Sequence, residues 1–277
     1  MKKILVTGAG GFVGSRVMQQ WAGHYELCTF PKGFLATAGE DAVRQAVLQQ
    51  RPDVILHTAA ISDTGYCAGH PEQAYRANVE LSVWLARAAA EIGAKLVAFS
   101  SDQVYAGVEQ SGPLPETIPL KPANVYGQGK LEMEQRVQAL CRVPYCCAPH
   151  GCTTCRATGC HPGQPAAEPS ACGAAGRICP LFCLGLPGHH LCPAGGSTAG
   201  SCPDPARRVY NFGSENAENM VLTARQFAET LGITVDIQEA DWARNLAMDC
   251  SKLQAHGIVF DTTQAGLTRC LRDYGLL

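Results

Sequence analysis

The sequence has no surplus of basic residues: 22 Lys and Arg stand against 24 Asp and Glu in 277 residues, a formal net charge of −2. That leaves no electrostatic footprint for nucleic acid or an anionic membrane surface, and neither is expected as a partner. No apolar run reaches the roughly 18 residues that would mark a bilayer-spanning helix. The opening residues, Met1 to Gly8, lack the apolar stretch and small-residue cleavage site of a secretory leader, so the expected compartment is the cytoplasm. Lysine is missing altogether between 141 and 207, where Glu168 and Asp204 are the only acids. Low overall charge (17%) with 46% hydrophobic residues excludes global disorder and leaves ample material for a core.

What is there divides into three stretches. Residues 1 to 140 alternate short apolar runs with helical patterns. Lys3 to Thr7, Tyr25 to Phe30, Asp53 to His57 and Lys95 to Ser100 read as strands. Helices are expected from about Val13 to Trp21, from Asp41 (as N-cap) to Gln50, and without interruption from Glu72 to Ile92. Strands separated by helices of this length imply βαβ units, and so an α/β fold with a doubly wound parallel sheet. Residues 208 to 277 look like a small C-terminal α/β substrate region: strands at Arg208 to Phe212 and Ile233 to Ile237, and helices at Val221 to Leu231 and Thr262 to Tyr274. The middle, 141 to 207, is unlike either flank, with eleven Cys, ten Pro and ten Gly and no sustained period. Proline at that density breaks helices and central strands alike.

Three glycines after the first strand carry the first functional signal. In Gly8-Ala9-Gly10-Gly11-Phe12-Val13-Gly14, Gly8 permits a tight turn, Gly11 lets backbone approach a pyrophosphate, and Gly14 allows close helix–strand packing. The phosphates of NADP or NAD would lie at the helix N-terminus, where unpaired N–H groups and the helix dipole favour anions. No acid closes the second strand to hold a ribose 2′-hydroxyl. Lys32 stands there instead, suited to a 2′-phosphate or simply solvated, which tilts the choice slightly toward NADP.

The second signal is Tyr126-Gly127-Gln128-Gly129-Lys130. At this spacing a phenol and an ammonium share one helix face, and the charge is expected to lower the phenol's pKa toward working pH. Upstream, the strand ending in Ser100-Ser101-Asp102 places a hydroxyl at the carboxyl edge of the sheet, where such folds bind ligands.

With these residues the sequence resembles an extended short-chain dehydrogenase/reductase of the dTDP-4-dehydrorhamnose reductase group. The matching stretches are Thr7 to Gly14, Asp53 to Ala60, Ala74 to Asn78, Ser100 to Tyr105 and Pro122 to Leu131, with further fits at Val209 to Ser214 and Asp249 to Leu253. The resemblance implies Ser101, Tyr126 and Lys130 as catalytic residues, and Thr58, Ala59, Ala60 and Ile61 lining the cofactor beside Phe12 and Val13. It places Asp102 with Ser101 on the substrate, a nucleotide-linked 4-keto sugar. Tyr126 would protonate the reduced oxygen, Ser101 would polarise the carbonyl, and Lys130 would hold the nicotinamide ribose. Asn78 would orient a water or backbone group near the site, or else lie on a helix surface. A homodimer is the expected assembly. Two other functions fit the same residues: a sugar-nucleotide epimerase or dehydratase, and a non-catalytic, cofactor-binding regulatory subunit.

The middle segment offers a zinc-knuckle spacing at Cys152 and Cys155, with Cys160, His161, His189, His190 and Cys192 nearby. Its scatter of cysteines fits an out-of-frame translation better. Codons can be chosen for Cys141 to Cys155 that in another frame read Pro-Gly-Ala-Val-Leu-Leu-Arg-Pro-Thr-Arg-Met-Tyr-Asp-Leu. That is a strand followed by a pattern the family carries after the Tyr-x-x-x-Lys helix. We therefore expect 141 to 207 to be irregular, mobile and exposed, with no bound metal. The chain as written is expected to be a poor or inactive enzyme.

Overall fold

The computed structural model describes residues 1–140, 147–151 (backbone only), 209–214, 216, 218–239, 245, 247–256 and 258–277. Five strands, β1 (Lys3–Thr7), β2 (Glu26–Cys28), β3 (Val54–His57), β4 (Lys95–Ser101) and β5 (Cys147–Gly151), form one parallel sheet in the order β2-β1-β3-β4-β5. Between them run α1 (Phe12–Gln20), α2 (Phe34–Thr37), α3 (Glu40–Gln50), α4 (Thr64–Gly69), α5 (Pro71–Tyr75), α6 (Leu81–Ile92) and α7 (Val125–Leu140). The C-terminal stretch adds α8 (Met220–Leu231), α9 (Ser251–Gln254) and α10 (Thr263–Asp273).

Strand alternation sorts the apolar side chains onto two faces. Leu5, Ile55, Leu96 and Ala98 pack with Val43, Val47, Leu85 and Met133 under α3, α6 and α7. Ile4, Val6, Leu56, Val97 and Phe99 pack with Val17 and Trp21 of α1 and with Phe212 and Leu253 of the C-terminal stretch. Both faces of the sheet are covered, which is the doubly wound arrangement expected. The strand ends Thr7, His57 and Ser101 therefore share one edge.

Several local expectations are corrected. α3 is capped by Gly39, two residues before the expected cap, and Asp41 sits in its first turn. The helix expected from Glu72 to Ile92 contains a π-turn at Arg76–Glu80, where the Leu81 N–H donates to the Arg76 carbonyl. Residues 209–212 form no strand: Lys252 Nζ donates to the Val209 carbonyl, and Asn211 is held by partners elsewhere in the chain. The Asn211 N–H donates to Glu116 Oε1 (2.7 Å), its amide donates to the Leu114 carbonyl (2.7 Å), and the Tyr105 hydroxyl donates to its Oδ1 (3.2 Å). Residues 233–237 also form no strand: Ile233 and Val235 are half-exposed, and no described strand edge meets them.

The irregular course expected from 141 onward fails over Cys147–Gly151, where the backbone joins β4 as an edge strand. Pairing there satisfies β4's free N–H and C=O groups and needs no side-chain period. The register shifts between Phe99 and Ser101, opposite the stretch holding Pro149, which has no N–H to give. The zinc-knuckle cysteines and the rest of the middle segment lie outside the described residues.

Candidate functional site

The glycine turn is built as the sequence requires. Gly8 has φ +70°, and a Cβ there would come within 2.7 Å of the Ala59 nitrogen. A Cβ on Gly14 would lie 2.1 Å from the Gly8 carbonyl oxygen, so only glycine lets α1 start this close to β1. Gly11 is the exposed N-cap of α1, and no side chain caps that helix. Phe12, Val13 and Gly14 form its first turn. The arrangement suits a dinucleotide: backbone brought close, and a helix N-terminus open to an anion.

The segment Thr58 to Ile61 abuts this turn. The Thr58 hydroxyl donates to the Thr7 carbonyl (2.7 Å), and the Ala59 N–H donates to Thr7 Oγ1 (3.3 Å). Thr58, Ala59 and Ile61 are half-buried and Ala60 is exposed, which makes them a lip beside the glycines. Asn78, in the π-turn, clamps Ile61 from both sides: its Oδ1 accepts from the Ile61 N–H and its Nδ2 donates to the Ile61 carbonyl, each at 2.9 Å. The backbone group that Asn78 orients is thus Ile61's. Lys32 is exposed in the turn after β2, one residue before Gly33 at φ +80°. Arg76 ties down the adjoining α2 segment, donating to the carbonyls of Leu35 and Ala38.

On the carboxyl edge, Ser101 ends β4 in an extended conformation and caps a 3-10 turn (Asp102–Tyr105), accepting from the Gln103 N–H (3.2 Å). Its hydroxyl also donates to Asp102 Oδ1 (3.1 Å) and lies close enough to Tyr126 to act on the phenol. Tyr126 is placed by the start of α7, where Asn124 Oδ1 accepts from the Gly127 N–H (2.8 Å) and Asn124 Nδ2 donates to Gln103 Oε1 (2.8 Å). One turn on, Lys130 Nζ donates to the Phe99 carbonyl (2.8 Å) and stands 5.9 Å from the Tyr126 ring centroid. Ser101, Asp102, Tyr126 and Lys130 are all buried. The structure therefore brings the four together.

The expected effect of Lys130 on Tyr126 is corrected. Burial pushes the phenol above its usual range; the Ser101 hydroxyl opposes this, and the charges of Asp102 and Cys67 add to it. Desolvation dominates because the ring is enclosed, and Lys130 is not among the groups that move the phenol. A phenol so placed keeps its proton near neutrality, which suits a proton donor. The ammonium acts visibly on His57, whose imidazole is lowered to about 3 by burial and then by Lys130. His57 is thereby fixed as a neutral bridge between Thr7 Oγ1 (2.7 Å) and Ser82 Oγ (2.9 Å).

Three residues escape a reading of the sequence. His57 reads only as a strand end. Asn124 could be found as a polar residue directly before a helix, in the capping position. Glu134 could be found from spacing, since it continues the face of Tyr126 and Lys130 by one more turn.

The model of the RmlD substrate binding domain family matches residues 1–146. The chain belongs to that family. Within it, the chain is 32% identical over 140 residues to the spore coat polysaccharide biosynthesis protein SpsK of Bacillus subtilis, covering 50% of this chain and 49% of that one. It is 35% identical over 140 residues to the dTDP-4-dehydrorhamnose reductase of Mycolicibacterium smegmatis (50% and 42%). It is also 35% identical over 144 residues to methionine adenosyltransferase 2 subunit beta of Bos taurus (49% and 42%). The chain thus spans about half the length of the curated relatives it matches. Among solved structures, a dTDP-4-dehydrorhamnose reductase from Clostridium acetobutylicum matches with TM-score 0.50 at 32% identity, over 53% of this chain and 52% of that one. One from Bacillus anthracis, solved in complex with NADP, matches over 97% and 96% with TM-score 0.71 at 20% identity, a likeness of fold alone.

Proposed function

We propose that this chain binds NADP(H) and belongs to an enzyme that reduces a nucleotide-linked 4-keto sugar. The observation that carries the reading is the buried grouping of Ser101 and Tyr126, with Lys130 one turn behind the phenol, on the edge that also holds the glycine turn. The residues fit the cofactor: Gly8, Gly11 and Gly14 leave room for a pyrophosphate, the first turn of α1 has no side-chain cap, and Thr58 to Ile61 line the neighbouring lip. Lys32, in the turn after the second strand, suits a 2′-phosphate, which favours NADP over NAD. NADPH, when bound, supplies the hydride.

The chain's own groups do the rest. Ser101 hydrogen-bonds the keto oxygen and polarises the carbonyl. Tyr126, protonated at neutral pH, gives its proton to that oxygen as negative charge develops there. Lys130 donates to the sugar hydroxyls of the cofactor and steadies the phenolate left behind. Asp102, bonded to Ser101, meets the substrate side. The division into a cofactor domain (1–140), a middle segment (141–207) and a substrate region (208–277) belongs to this proposal.

A second reading, a cofactor-binding subunit that does no chemistry, draws on the likeness to methionine adenosyltransferase 2 subunit beta. One experiment separates the two. NADPH is titrated by fluorescence, then its oxidation is followed with dTDP-linked 4-keto-6-deoxy sugar for the chain with its reading frame restored across 141 to 207 and for that protein carrying Tyr126→Phe. We expect the variant to keep cofactor affinity and lose turnover by about 10²–10⁴-fold, the typical cost of removing a proton donor. Binding without turnover in either protein favours the subunit. Absence of NADPH binding refutes the proposal.

A further inference from the structure

Below Lys130 on α7 lies a carboxyl that the proposed chemistry does not use. Glu134 is 3% exposed, and its Oε1 has no hydrogen-bond partner; the Ser100 hydroxyl beside it makes no hydrogen bond of full geometry either. Burying a carboxyl without a full set of partners is costly, so a counter-charge should be near. It is: Lys130, one turn earlier on the same face, acts on Glu134 electrostatically. The ammonium is itself 3% exposed, with the Phe99 carbonyl as one partner. Each group supplies what the other's burial demands.

Among the described residues, the other charged groups on elements packed against α7 are engaged or lie toward solvent. Arg76 of the π-turn holds the Leu35 and Ala38 carbonyls. On α6, Arg87 pairs with Glu40 and Glu91 with Arg44. Glu80 is half-exposed, Glu72 exposed, and Tyr75 is bound to Glu132 at the surface. In the 3-10 turn, Asp102 lies by Ser101, and Tyr105 lies close enough to feel the charge of Glu134. His57 of β3 and Cys67 of α4 are on the Lys130 side, the imidazole neutral and the thiol raised by burial.

We propose that Glu134 is a positioning residue, the buried counter-charge that keeps the Lys130 ammonium charged and in place behind Tyr126. The part of this concerning cofactor binding rests on the function proposed above; the Glu134–Lys130 coupling does not. Burial raises the Glu134 carboxyl to about 7, with the Ser100 hydroxyl and Lys130 pulling it back down. Near neutrality Glu134 therefore passes from a neutral acid to a carboxylate that the Lys130 ammonium attracts. Without the carboxylate, a buried ammonium loses its proton more readily as pH rises.

The first test needs no cofactor. A carboxyl that titrates higher in the folded than in the unfolded chain withdraws stability as pH rises from its ordinary range through 7, and glutamine withdraws none. The urea midpoints of the full chain and Glu134→Gln should therefore diverge across that window. Placing both in a Lys130→Met background should move the divergence to higher pH, since the ammonium no longer pulls the carboxyl down. A divergence that stays put, or its absence in the parent pair, overturns the proposal.

The second test is NADPH affinity against pH. Parent and Glu134→Gln should agree below about pH 6, where both carry a neutral side chain, and differ several-fold above about pH 8 in favour of the parent. A ratio that is the same at every pH marks a merely structural residue and overturns the proposal. If neither protein binds NADPH, the function proposed above fails, and the stability experiment decides Glu134 alone.

Discussion

Replacing Gly14 by alanine tests the packing on which the candidate cofactor cradle depends. In an open helical position the change would help: alanine is favoured over glycine by about 1 kcal/mol in helices. Gly14 is not open. The new methyl would lie 2.1 Å from the Gly8 carbonyl oxygen, 2.7 Å from the Gly8 carbonyl carbon and 2.8 Å from the Ala9 Cα, all backbone atoms. Ordinary contact is near 3.5 Å, so the turn or the helix must shift by roughly 1 Å. Gly8 has little room to give, with φ +70° and Ala59 and the Thr58 hydroxyl close on its other side. Overpacking of this kind costs about 1–3 kcal/mol, which offsets the helical gain and leaves a net loss of up to about 2 kcal/mol. Trp21 caps the C-terminus of α1 and is 4% exposed, so its fluorescence reports the helix as it detaches. The matched control is Gly10→Ala, where an added Cβ meets nothing within 4 Å. Denaturant unfolding should place Gly14→Ala below the parent and Gly10→Ala within about 0.5 kcal/mol of it. Equal midpoints for the two variants would refute the reasoning.

Two further outcomes are expected. Gly11→Asp should abolish NADPH binding in a fluorescence titration, because it puts a negative charge at the open N-cap where the pyrophosphate would lie; an unchanged titration contradicts the cradle. His57 should make the protein acid-sensitive. Its imidazole titrates at about 3 in the fold against 6.5 as the ordinary value, so its stabilisation is present above 6.5 and is lost as pH falls toward 3. His57→Gln should flatten the fall of the urea midpoint in that window, and a slope equal to the parent's would exclude His57 as its source.

The cofactor half of the fold is legible because its signals are local. Lys3–Thr7, the glycines and α1 come one after another within a few residues, and each element's period matches the surface it buries. Ser101, Tyr126 and Lys130 are legible as residue types, and the fold brings them together. What escapes depends on partners far along the chain. Asn211 looks like part of a strand, yet its bonds go to Leu114, Tyr105 and Glu116, which no local pattern can announce. The direction of Tyr126's shift is hidden for a similar reason. Spacing reveals a neighbouring ammonium but not the enclosure that governs the phenol. β5 is hidden because an edge strand can form through backbone pairing alone, whatever its side chains.

The π-turn fixes the number of residues between the two ends of its helix. Arg76 reaches back to the carbonyls beyond β2, Asn78 holds Ile61, and Ser82 meets His57. The wide turn at Arg76–Glu80 takes up one residue more than a regular helix would, and Asn78 sits within it. A deletion inside the turn would move Asn78 away from both groups of Ile61. Losing a single codon here should do more harm than replacing the residue it encodes. Across descendants of this chain, the stretch should therefore tolerate changes of letter far better than changes of length.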